Sequence, residues 1–97
     1  MNGAGFIMAN YQFEQIKHKK KSAKGIRLEY SLLKSKRTLC GDEIYSIKIE
    51  SIQNGATDYK LAFDISRDRN TATCIFDCIV AGKVTPCTLF DILEDIL

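Results

Sequence analysis

The last third of the chain, Asp64 to Leu97, places the tightest limit on the fold, because it reads as two short helices joined by a turn. Ser66 and Thr85-Pro86 each precede an apolar pattern of helical period, and Gly82 separates the two patterns. A serine hydroxyl caps free N–H groups at a helix start, proline is tolerated in the first turn, and glycine takes the left-handed conformation that closes a helix. The first helix is expected to start between Arg67 and Ala72, with Ala72, Ile75, Phe76, Ile79 and Val80 on one stripe. In the second, Leu89, Ile92, Leu93, Ile96 and Leu97 form the stripe, while Asp91, Glu94 and Asp95 line the other face. Two such stripes need an apolar surface to cover.

That surface is supplied upstream by three segments of period two. Ile26, Leu28, Tyr30 and Leu32 alternate with polar residues, as do Tyr45, Ile47 and Ile49, and then Tyr59, Leu61, Phe63 and Ile65. Consecutive strands with short links pair as antiparallel neighbours, so the expected class is α+β: a three-stranded antiparallel meander packed on a C-terminal helical hairpin. Side-chain parity constrains the connections, because directly opposed residues point to the same side. A two-residue turn at Asn54-Gly55 would set Ile49 opposite Lys60, mixing core with surface. A longer loop or bulge is therefore expected there, with Ile49 facing Tyr59 or Leu61. A tight turn at Cys40-Gly41 would put Lys34 opposite Ile47, so Ser35 to Asp42 is expected to be an open loop carrying Lys36 and Arg37.

At 97 residues one domain is available. The reading divides the chain into a flexible basic arm over residues 1–24 and a single α+β domain over residues 25–97. Hydrophobic residues at 45% and charged residues at 27% are close to the globular average, which argues against disorder of the whole chain. The net charge of +2 conceals an asymmetry. Between Lys17 and Arg37 lie nine of the fourteen Lys and Arg residues and one acid, Glu29, whereas acids outnumber bases two to one from Thr38 onward. No apolar run reaches the roughly 18 residues needed to span a membrane, and no secretion signal is visible at the N-terminus. The expected location is the cytoplasm, where the four cysteines stay as free thiols.

Asp64-Ile65-Ser66, Val84-Thr85-Pro86 and the run Leu89-Phe90-Asp91-Ile92-Leu93-Glu94-Asp95, together with Tyr30-Ser31-Leu32-Leu33 and Tyr45-Ser46-Ile47, carry a resemblance. Over residues 26–97 the chain resembles a family of small Firmicutes, mainly clostridial, proteins of unknown function. The resemblance implies no activity, cofactor or site residue.

Chemistry-bearing residues are few. His18 is the only histidine and sits in the lysine run, where no positioned partner for general-base work is visible. No phosphate-binding loop, nucleophile elbow or zinc-protease motif occurs, so no catalytic residue and no cofactor are assigned, and an enzyme is not expected. Cys74 and Cys78 stand four apart on the first helix and Cys87 begins the next, a weak pattern for a metal or redox site against the commoner reading of inert small residues. The basic segment has the strongest functional content. Lys17, Lys19, Lys20, Lys21, Lys24, Lys36 and Arg37 are the candidate contacts to nucleic acid or another anion, and a passive solubilising tail explains them equally well. Without interleaved aromatics no single-strand stacking platform is indicated, and any nucleic-acid binding through lysines alone would be nonspecific. The acidic face of the last helix with Asp77 could receive a basic partner, and a solvated helix face explains it equally well; beside the basic arm it suggests a head-to-tail contact between copies or an arm folded over its own body. The leading expectation is a non-enzymatic protein-interaction or regulatory module, followed by a weak nucleic-acid binder and then by a cysteine-based site.

Overall fold

A computed structural model describes residues 7–8, 11–36 and 41–96. Arg37 and Cys40, and the expected arm before Ile7, lie outside the described residues. A two-residue ladder pairs β1 (Ile7–Met8) with β2 (Tyr11–Gln12). The main sheet contains β3 (Glu14–Ala23), β4 (Ile26–Lys36), β5 (Glu43–Gln53) and β6 (Ala56–Ser66), antiparallel in sequence order. Helix α1 (Arg69–Ala81) follows, then a 3-10 turn over Pro86–Thr88 that runs into α2 (Leu89–Ile96).

The sheet thus has four strands, not three, and residues 14–23 belong to it instead of forming a flexible arm. Lys17 stands opposite Leu32, Lys19 opposite Tyr30 and Lys21 opposite Leu28. An edge strand needs a hydrogen-bonding partner on one side only, so it can fold without the apolar alternation that marks β4 to β6. A bulge between Gln15 and Lys17 inserts Ile16, which packs against the core.

The α1 stripe is as expected: Ala72, Ile75, Phe76, Ile79 and Val80 are all buried. They meet Leu28, Tyr30 and Leu32 of β4, Tyr45, Ile47 and Ile49 of β5, and Ala62 and Ile65 of β6, with Leu89 and Leu93 from α2. Both helix-end expectations shift by one or two residues. Asp68, not Ser66, caps α1, its carboxylate accepting from the Thr71 N–H at 2.8 Å. At the other end Gly82 has φ −82°, and Lys83, at φ 51°, takes the left-handed position. The N–H of Lys83 reaches the Val80 carbonyl and that of Val84 reaches Ile79, so the helix closes in a Schellman-type turn with lysine where glycine is usual.

The link from β5 to β6 also differs from expectation. Asn54 (φ 53°) and Gly55 (φ 81°) form a two-residue turn of the primed kind that matches strand twist, and Ile49 does stand opposite Lys60. The pairing is tolerated because β6 is an edge strand and the Lys60 stem is long: its ammonium lies 5.7 Å from the centre of the exposed Phe90 ring on α2. The irregularity comes later in β6. Tyr45 pairs with Ser66 but Ile47 with Ala62, so a bulge falls at residues 63–65, with Asp64 at φ 57° and its N–H donated to Ser46 Oγ at 3.0 Å. This turns Ile65 into the core beside Ala62, whereas simple alternation would have kept Ile65 in line with Tyr59, Leu61 and Phe63. Between β4 and β5 the ladder continues through Ser35 opposite Ile44 and Lys36 opposite Glu43, so Ser35 and Lys36, expected in an open loop, belong to β4, and residues 37–40 of that link lie outside the described residues.

Candidate functional site

The two edges of the sheet are chemically unlike. On the β3 edge, Lys17, Lys19 and Lys21 project to the helix-covered side and His18 and Lys20 to the opposite side, as their register with β4 requires. Lys24 occupies the following turn at φ 52°. Lys17 is engaged: its ammonium lies 3.2 Å from Asp77 Oδ1 on α1 and 5.8 Å from the centre of the Phe76 ring. The basic segment therefore does lie against its own body, but as a paired strand. His18 Nε2 is 3.4 Å from Glu29 Oε1, next door on β4. No ion pair involves Lys19, Lys20, Lys21 or Lys24 among the described residues.

Lys36 does not join one compact patch with these residues. It ends β4 beside the start of β3, whereas Lys24 lies at the far end, and about ten strand residues separate the two, on the order of 33 Å. Of the predicted anion contacts, Lys17, Lys19, Lys20, Lys21 and Lys24 follow the β3 edge and its turn, Lys36 stands apart on β4, and Arg37 lies outside the described residues.

Cys74, Cys78 and Cys87 are exposed free thiols. Among the described residues no three potential metal ligands gather, so the helix turn does not bring these thiols into one cluster. Cys87 lines a cleft with Thr85, Pro86 and Asp58 under the 3-10 turn.

The β6 edge was not singled out by the sequence. Tyr59, 52% exposed, and Phe90, 49% exposed, flank it from opposite sides of the sheet. Lys48 lies over the Tyr59 ring at 5.7 Å, as Lys60 lies over Phe90. An open cleft of about 400 Å³ between β6 and α2 is lined by Ala62, Phe63, Asp64, Ile65, Phe90, Leu93 and Glu94. One signal was available: Phe90 falls off the apolar stripe of α2 and onto its acidic face. Tyr59 carried none, since it continued the alternation of Leu61 and Phe63.

Buried tyrosines anchor the layer behind these edges. The Tyr30 hydroxyl donates to the Val84 carbonyl at 2.9 Å, and burial pushes its pKa up to about 12. Burial, and then the neighbouring Glu43 carboxylate, also raise the Tyr45 pKa. Asp68 is held below the usual carboxylate range by the Thr71 hydroxyl and N–H. No helix among the described residues is long and apolar enough to cross a membrane.

Fold and surface together define a small α+β domain, a four-stranded meander covered on one face by two helices and open at two edges of opposite character. The chain belongs to the family of unknown function DUF6514, whose family model matches residues 10–97. The match begins upstream of the segment that carries the resemblance and takes in the whole of β3. No curated protein and no solved structure gives a significant match.

Proposed function

We propose that this domain is a non-enzymatic protein-interaction module of the bacterial cytoplasm, engaging its partner through the β6 edge. The observation that carries the reading is the exposure of Tyr59 and Phe90 on either side of a strand edge that has no partner strand among the described residues. Half-exposed aromatic side chains give large contact area at low entropic cost, and a free strand edge offers a row of backbone donors and acceptors to an incoming chain. Site-specific photo-crosslinking in cells tests it. A photoreactive phenylalanine analogue at Tyr59 or Phe90 gives discrete protein adducts, and the same group at Lys20 gives none. Equal labelling from all three positions, or none, refutes the reading.

A second reading rests on Lys19, Lys20, Lys21 and Lys24, cations on one edge without ion pairs among the described residues. Such a rim attracts polyphosphate backbones without reading sequence. Deleting residues 1–24 would remove a strand of the sheet, so the informative variant is the triple change Lys19→Glu, Lys20→Glu, Lys21→Glu. Loss of salt-sensitive retention on random duplex in that variant supports the second reading. Absence of retention by the unaltered chain at low salt removes it.

A further inference from the structure

From the β6 edge we infer that the partner at this surface is a second copy of the chain, joined by antiparallel β6–β6 pairing about a two-fold axis through Tyr59. The inference rests on the proposed function and names its partner. Centred on Tyr59, the pairing sets Asp58 opposite the partner's Lys60 and Lys60 opposite the partner's Asp58, giving two cross-strand ion pairs by symmetry. Asp58 and Lys60 share the helix-covered side, since their partners Ser51 and Ile49 do, whereas Tyr59 meets the partner's Tyr59 on the open side. Thr57 then faces the partner's Leu61, and Ala56 the partner's Ala62.

Charge selects this register. Moving the axis one residue either way, to Asp58 or to Lys60, sets like charges against each other, which is destabilising across a strand pair. The geometry frames the same seven residues: the Asn54-Gly55 turn ends the strand on one side and the bulge at Asp64 ends it on the other. No ion pair holds Asp58 among the described residues, and Lys60 rests on the Phe90 ring. The β6–α2 cleft, which Phe90 lines, lies alongside this strand.

The opposite edge explains why the pairing closes instead of propagating. Two β3 edges would bring Lys17, Lys19, Lys20 and Lys21 of each copy together, and the bulge at Ile16 bends that strand. Clustered lysines and bulges are how natural sheets block edge-to-edge association. One edge is thus guarded by repulsion while the other is self-complementary, and the expected product is a closed dimer with a continuous eight-stranded sheet.

Sedimentation equilibrium of the full chain tests the inference. A junction of this extent lies at the small end of specific interfaces, so dimerisation is expected in the range of about 1–100 μM. Lys60→Glu and Asp58→Lys should each weaken it by about tenfold or more, because each turns two attractive pairs into two repulsive ones. The double variant, which swaps the charges, should restore it. Circular dichroism and thermal unfolding confirm that these exposed substitutions leave the fold intact. A chain that stays monomeric to roughly 1 mM, single reversals without effect, or a double variant no tighter than the singles would overturn the dimer. A monomer that still yields crosslinks from Tyr59 to a different protein removes this inference and leaves the proposed function standing.

Discussion

Tyr30, at the centre of β4, donates its hydroxyl to the backbone carbonyl of Val84, fastening the sheet to the short link between the two helices. Both groups are buried, so neither has water as a substitute. Replacing Tyr30 with Phe keeps the ring and removes the donor. The expected cost is about 1 kcal/mol, from a net hydrogen bond lost and a carbonyl left unpaired. Urea unfolding of Tyr30→Phe should show a lower midpoint with an unchanged slope.

The same tyrosine sets an alkaline limit. Its pKa rises from 10 to about 12 on folding, so the folded state favours the protonated phenol. The stabilisation is fully present below pH 10 and is lost as pH climbs from 10 through 12, by about 2–3 kcal/mol in total. Absorbance of tyrosinate should therefore appear in two stages, with Tyr30 and Tyr45 ionising only as near-ultraviolet circular dichroism collapses. In Tyr30→Phe the alkaline decline should be shallower.

At the end of α1, Lys83 holds a left-handed backbone that glycine adopts without steric cost, whereas Gly82 does not use that freedom. Lys83→Gly is expected to stabilise the fold by about 1 kcal/mol. At Gly82 a Cβ would meet the Cys78 carbonyl at 3.4 Å, an ordinary contact, so Gly82→Ala should be tolerated. Thermal unfolding of the two variants decides between this assignment and one that places the left-handed residue at Gly82.

Ser46, fully buried, accepts the Asp64 N–H at the β6 bulge. Ser46→Ala strands that donor and should cost about 1–2 kcal/mol. If the bulge is what aims Ile65 into the core, hydrogen exchange should accelerate around residues 63–66 in this variant before it does so in β4.

Aspects of the fold that depend on local chemistry were legible in the chain. Period-two alternation marked β4 and β5, the α1 stripe emerged residue for residue, and Thr85-Pro86 announced the entry into α2. Those signals arise from which side of an element touches apolar neighbours, and each repeats several times within its own segment. Strand β3 left no such trace, because its lysines occupy both sides of an edge where one hydrogen-bonded neighbour suffices. The parity argument against the Asn54-Gly55 turn failed for a related reason: opposite an edge strand, a lysine can lie along the sheet and set its charge over Phe90.

The candidate site divides the same way. Its basic residues were visible as composition, but only the fold arranged Lys17, Lys19, Lys20, Lys21 and Lys24 along one edge and its turn, with Lys17 bound to Asp77. Tyr59 and Phe90 lie 31 residues apart in the chain and read as routine apolar positions. The sequence by itself determined β4, β5 and the two helices with their apolar faces, which are set by contacts a few residues long. Tertiary structure alone decided which strand has a neighbour on one side only, where the bulge turns β6, and which aromatics stay uncovered, because each depends on residues brought together from distant parts of the chain.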